Sequence, residues 1–103
     1  MEPELIYKAL ANATRRQILQ WLKTPGEHFD EREYQLRGLE FSSGVCVSDI
    51  GSKAGLAQSV VSSYLQGMQR AGLLESERIG KWTYYRRNEN AIRDFVDFVS
   101  TEL

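Results

Sequence analysis

The stretch from Ser48 to Arg87 constrains this chain most, because three kinds of local signal follow one another there without a gap. DIGSKAG reads as a short helix capped by Ser48 and ended by Gly55. A short glycine-bearing turn leads into QSVVSSYLQGMQRAG, where Val61, Leu65 and Met68 recur at helical spacing and Gly72 supplies a residue free to adopt positive φ. Leu73–Ile79 and Trp82–Arg87 are rich in β-branched and aromatic residues and flank a Gly80-Lys81 turn, which predicts a hairpin. Two helices joined in this way form a helix-turn-helix, and a hairpin directly behind it forms a wing. Gly67 interrupts the second helix at a cost of about 1 kcal/mol relative to alanine, for which close packing is the usual reason.

The flanking segments extend a helical frame. Leu5, Ile6, Ala9 and Leu10 predict a first helix beginning near Pro3. Asn12 is a good N-cap for ATRRQILQWLK, with Ile18, Leu19 and Leu22 inward and Arg15, Arg16 and Lys23 outward, and Thr24-Pro25-Gly26 stops it. Residues 25–44 are acidic, carry scattered aromatics and show no clean period, so they read as an irregular insertion pinned by residues such as Phe29, Tyr34, Leu36, Leu39 and Phe41. Asn88 caps a last helix with the stripe Ile92, Phe95, Val96, Val99 and Leu103. The expectation is a mainly α chain with a β-hairpin wing (α+β). It forms one domain over 1–103, with the insertion at 25–44, the helix-turn-helix at 48–71, the wing at 73–87 and a C-terminal helix at 89–102.

Composition narrows the setting. One cysteine in 103 residues excludes an internal disulfide and suits a reducing compartment. No apolar run approaches the roughly 18 residues of a membrane helix, and Glu2 and Glu4 replace the basic start of a secretory signal, so a cytoplasmic protein with no membrane partner is expected. Net charge is −1, but it is unevenly spread. Thr24–Ile50 carries six carboxylates against two arginines, whereas Lys53–Arg87 carries six bases against two acids. The basic half is what a nucleic-acid surface requires.

ALANATRRQILQWL resembles the opening helix pair of the ArsR/SmtB transcriptional regulators. SDIGSKAGLAQSVVSSYLQGMQRAGLLESERIGKWTYYRR is similar to their helix-turn-helix, connector and wing. The resemblance covers most of the chain outside residues 25–44. It implies a winged helix-turn-helix that pairs as a homodimer through its first and last helices, and a regulator, commonly a repressor, of double-stranded DNA. The sequence departs from the family at Ala57, where a serine or threonine N-cap is expected and about 1 kcal/mol of capping is forgone. It departs again at Ser63, where a basic residue is common.

Reading bases needs short polar groups on the exposed N-terminal face of a helix, and Gln58, Ser59, Ser62 and Ser63 supply them. Gln58 suits adenine, Val60 a thymine methyl, and Tyr64 either a phosphate contact or half-buried packing. On the wing, Lys81 at the tip with Arg78 and Arg86 suits phosphates, while Arg87 is evenly balanced between DNA and a structural role. Either Trp82 with Tyr84 or Thr83 with Tyr85 should face the core. The apolar residues Leu5, Ile6, Leu10, Ile92, Phe95, Val96 and Val99 are assigned to the dimer interface. Two-fold symmetry then matches a palindromic operator.

Relatives with metal control hold thiophilic metals through a Cys-x-Cys pair where this chain has Cys46 and Ser48, and a hydroxyl is a poor soft-metal ligand. Other relatives use Asp/His pairs on the last helix, where Asp94 and Asp97 have no histidine neighbour. His28 is alone in the acidic insertion. No metal, no cofactor and no catalytic set are therefore expected, and a small-molecule effector stays unspecified. Cys46, between Val45 and Val47, reads as a buried hydrophobe, with a redox-responsive thiol as the alternative. The alternative from a different class, a winged helix used as a protein–protein module, is supported by the negative overall charge and the acidic insertion.

Overall fold

The computed structural model describes residues 1–103. Helix α1 (Pro3–Leu10) starts with proline at its first turn, and α2 (Ala13–Lys23) starts at Asn12, whose side chain accepts from the Arg15 N–H at 3.0 Å. Arg15 and Arg16 do more than face solvent. Arg15 Nε donates to Ala9 O at 2.7 Å and its Nη2 to Lys8 O at 2.8 Å, while Arg16 Nη1 donates to Leu10 O at 2.6 Å. The last carbonyls of α1, of which only Lys8 O also accepts from a backbone N–H (Ala11, 3.3 Å), are thus closed by cations from the next helix, where the helix dipole also favours positive charge.

Residues 25–44 are more regular than their composition implies. A 3₁₀ turn at Pro25–Glu27 precedes α3 (Glu31–Leu36), and a second 3₁₀ turn spans Phe41–Ser43. Asp30 caps α3 by accepting from the Glu33 N–H at 3.1 Å. A helix this short does not hold itself together. It is fixed by Tyr34, 2% exposed, whose ring packs 4.8 Å from Phe41 and edge-on to Tyr84 at 6.3 Å. The Tyr34 hydroxyl donates to Asp49 Oδ2 at 2.5 Å and accepts from the Cys46 N–H at 2.9 Å, so one oxygen ties the insertion to two further segments.

Strand β1 (Val45–Cys46) adds an edge to the hairpin of β2 (Leu74–Ile79) and β3 (Trp82–Arg87), giving the antiparallel order β1-β3-β2. Gly44, at φ +112°, passes so close to β3 that a Cβ would lie 2.7 Å from the Tyr85 backbone. Helix α4 (Val47–Ala54) follows at once and ends in Gly55 at φ +68°; α5 (Gln58–Arg70) then buries Val61, Leu65 and Met68. Ser48 is not the cap of α4: the helix begins at Val47 with Cys46 in the cap position.

Directly opposed residues of antiparallel strands share a face. Val45 and Tyr85 lie on the face whose Arg87 donates to Leu19 O of α2 at 3.2 Å, the helical side. Cys46 and Tyr84 lie on the other face, under Tyr34. Tyr84 and Tyr85 are consequently both buried, and the expectation that only one of the alternating pairs would be core is corrected. The insertion has turned a half-solvated wing into a sheet covered on both sides.

Helix α6 (Glu89–Glu102), capped by Asn88 onto the Ala91 N–H at 3.1 Å, has no fully buried residue. Its Phe95 meets Tyr7 of α1 edge-on at 5.7 Å, while Val96 is 59% exposed. No helix is long and apolar enough to cross a membrane.

Candidate nucleic-acid interface

With Val61, Leu65 and Met68 buried at 0% exposure, the opposite side of α5 must face outward. Gln58, Ser59, Val60 and Ser63 are exposed there, and Ser62 and Tyr64 are half-buried. Ala57 makes no side-chain bond to the helix; the Val60 N–H donates to Ala57 O at 3.0 Å, and the Gln58 and Ser59 N–H groups keep their capacity to donate to an incoming acceptor. Tyr64 is partly committed inside the protein: its hydroxyl accepts from Asn12 Nδ2 at 3.4 Å, and the Arg15 guanidinium stacks 5.1 Å from its ring centre. The helix therefore presents short neutral polar groups backed by α2, a surface suited to hydrogen bonding more than to contact between charges.

The wing sorts its cations into two kinds. Lys81 is exposed at the turn without a carboxylate partner, and Arg78 Nε donates only to Gly80 O at 3.3 Å. Arg86, assigned to DNA from the sequence, points to the covered face instead. Its Nη1 donates to Ser43 O at 3.2 Å and Glu77 Oε1 at 3.3 Å, and its Nε lies 3.8 Å from Glu75. The insertion creates this arrangement by placing a carbonyl above β3. Arg87 pairs with Glu89 at 2.8 Å as well as with Leu19, which resolves its even balance toward structure. Trp82, beyond the reach of the insertion and 46% exposed, stands beside Lys81 on the outer face, opposite Ile79. Its position next to a free cation at the tip was not read from the sequence, where alternation alone placed it in one of the two candidate core pairs.

The residues assigned to self-association also divide. Ile6 is 1% exposed and belongs to the protomer's own core, which corrects its place at the interface; α1 packs that side against α2 and α5. Leu10, Ile92 and Phe95 pack partly on the same core. Leu5 and Val96 remain exposed and Val99 half-exposed, leaving an apolar strip along α1 and α6.

Cys46 is 3% exposed, with its sulfur 3.2 Å from Ser48 Oγ. No three His, Cys, Asp or Glu side chains gather as a metal site requires, and His28 is half-buried in the insertion. The one strongly perturbed group nearby is Tyr34: burial, then its bond to Asp49, push the phenol well above its ordinary range, so it stays protonated and serves as a structural donor.

No protein-family model matches the chain. It is 50% identical over 104 aligned residues, covering all of both proteins, to YbzH of Bacillus subtilis, named as an uncharacterized HTH-type transcriptional regulator. It is 27% identical over 86 residues, 84% of this chain and 54% of the relative, to the arsenic resistance transcriptional regulator ArsR1 of Pseudomonas putida. Among solved structures it superposes on the homodimeric winged helix-turn-helix domain of Mb0332 from Mycobacterium bovis, described as a possible ArsR-family regulator. That match has a TM-score of 0.64 and 29% identity and covers 96% of this chain and 78% of that one. Helix order, wing and relatives agree: the chain belongs to the ArsR family of winged helix-turn-helix transcriptional regulators, DNA-binding proteins and not enzymes.

Proposed function

We propose that the protein works in the cytoplasm as a homodimer that binds a palindromic operator and represses by occluding polymerase. The observation that carries this reading is the division of α5 into a buried face of Val61, Leu65 and Met68 and an exposed face of Gln58, Ser59, Val60 and Ser63. In this reading Gln58 and its neighbours meet base edges in the major groove, and Ser62 and Tyr64 support them from the half-buried flank. Lys81 and Arg78 meet phosphates, with Trp82 against the sugar-phosphate backbone. Arg86 positions the wing and does not touch DNA.

Dimerisation is supported by α6, which leaves Val96 and its neighbours without a partner inside the protomer. Two protomers are also what a short reading helix needs, since one helix contacts only a few base pairs. Control is not by metal in this reading. The single thiol is buried, and the residue two positions on is a hydroxyl that a soft metal binds poorly.

The test is selection of bound sites from genomic fragments followed by mobility shift across a salt series. Two-fold symmetric sites with salt-dependent affinity are the expected result. Lys81→Ala should weaken binding to every sequence and reduce the salt slope by about one, while Gln58→Ala should relax preference at one position. Binding that shows no sequence preference at any salt concentration would remove this reading.

A further inference from the structure

Between α1, the start of α2 and the middle of α5 lies an open cleft of about 290 Å³ whose polar lining is Lys8, Arg15, Ser63, Tyr64 and Arg70, with Gly67 on one wall. It holds three cations and no carboxylate. None of the three is in an ion pair; the chain's salt bridges belong to Arg86 and Arg87. Arg15 is already rigid, held by two carbonyls and by the Tyr64 ring, and its Nη1 makes no bond within the protein. A fixed guanidinium loses little freedom when it takes a ligand.

Gly67 supplies an independent pointer. The expected reason for a glycine inside α5 was close packing, and the structure does not provide it. A Cβ there would meet only Arg70 Nη2, at 3.7 Å, and its φ is not positive. Neither backbone conformation nor a neighbour inside the protomer calls for glycine. It leaves the helix backbone open to a group from outside the protomer, on the side of the cleft.

We propose that this cleft binds a small oxyanion, a molecule carrying a phosphate or pyrophosphate group. Arg15, Arg70 and Lys8 hold the anion, with the Ser63 and Tyr64 hydroxyls beside it and the ligand lying over Gly67. A DNA phosphate offers the same chemistry, but the recessed shape and the cleared wall suit a compact ligand better than a rod-like duplex. Ser63 and Tyr64 also belong to the proposed DNA-reading side of α5, so anion binding is tested on protein free of DNA.

Titration calorimetry with inorganic phosphate and inorganic pyrophosphate as probes should show saturable binding, one anion per protomer. Arg70→Gln should weaken it about tenfold, the worth of one charge-assisted bond, and Lys23→Ala, at the far end of α2 and outside the cleft, should leave it unchanged. Gly67→Ala should weaken binding while raising the melting midpoint of the unliganded protein by about 4 °C or more, since the added methyl meets only Arg70 Nη2, at an ordinary contact distance of 3.7 Å. Absence of saturable binding by either probe overturns the proposal. So does an equal loss in Lys23→Ala, which would mean diffuse charge attraction. A lower midpoint in Gly67→Ala also overturns it, because the glycine would then serve packing or a second protomer. If neither probe binds but Arg70→Gln weakens a generic DNA duplex tenfold, the cleft serves the DNA backbone and the small-molecule assignment fails.

Discussion

Replacing Tyr34 by phenylalanine removes one oxygen and almost no volume, so it isolates what the hydroxyl contributes. That oxygen accepts from the Cys46 N–H at 2.9 Å and donates to Asp49 at 2.5 Å. Cys46 is buried at the join of β1 and α4, where no water replaces the lost acceptor; an orphaned buried donor costs about 1–3 kcal/mol. Asp49 is half-exposed and can turn to water, so the bond to its carboxylate contributes at the low end, about 1 kcal/mol. The sum is about 2–4 kcal/mol, a large share of the 5–15 kcal/mol typical of a domain. Urea unfolding should show a lower midpoint with an unchanged slope, because the ring still fills the core. Asp49→Asn keeps an acceptor and should cost about 1 kcal/mol. A Tyr34→Phe protein within about 0.5 kcal/mol of wild type, the range of ordinary surface changes, would refute the claim that this hydroxyl fastens the insertion.

The same phenol has an alkaline signature. Its pKa is raised in the folded state, so the stability it contributes is complete below the unfolded value near 10 and is lost as pH rises beyond it; Tyr85, raised by burial, acts in the same direction. Unfolding free energy should fall with pH above about 10, and less steeply in Tyr34→Phe. Val96→Asp, at a site 59% exposed in the protomer, should leave helical circular dichroism intact and convert a dimer to monomer by sedimentation; an unchanged dimer would defeat the α6 interface. Gly44→Ala should destabilise by about 3 kcal/mol or more in thermal melts, because it combines left-handed backbone with a Cβ 2.7 Å from the Tyr85 backbone. Wild type and Cys46→Ser should each bind DNA equally under oxidant and reductant, because the thiol is buried packing; a difference confined to the wild type would reveal a redox role.

Much of the frame was legible residue by residue. Asn12 and Asn88 start the helices they were expected to start, Pro3 opens α1, and the hairpin turns at Gly80-Lys81. These are local matters: a cap, a ring without an N–H, and a period of 3.6 or 2 all act within one turn of chain. A local signal was also available and unread at Asp30, three residues before Glu33, the spacing of a capping box. It marks the start of α3, although six residues alone would not stay helical.

Tertiary structure alone decided the rest. A two-residue strand carries too little pattern to announce itself, and β1 exists because β3 supplies its hydrogen bonds. Tyr84 and Tyr85 are adjacent and on opposite faces, so strict alternation would expose one; the insertion buries it from a distant part of the chain. Arg86 looks as available as Arg78 and Lys81 in the sequence, and only the placement of Ser43, Glu75 and Glu77 around it ties it into the sheet. Ile6 and Leu5 are neighbours on one helix, yet one is core and the other surface, because α1 meets α2 and α5 on a single side. Periodicity fixes which residues share a face of a helix or strand, whereas what covers that face depends on segments tens of residues away.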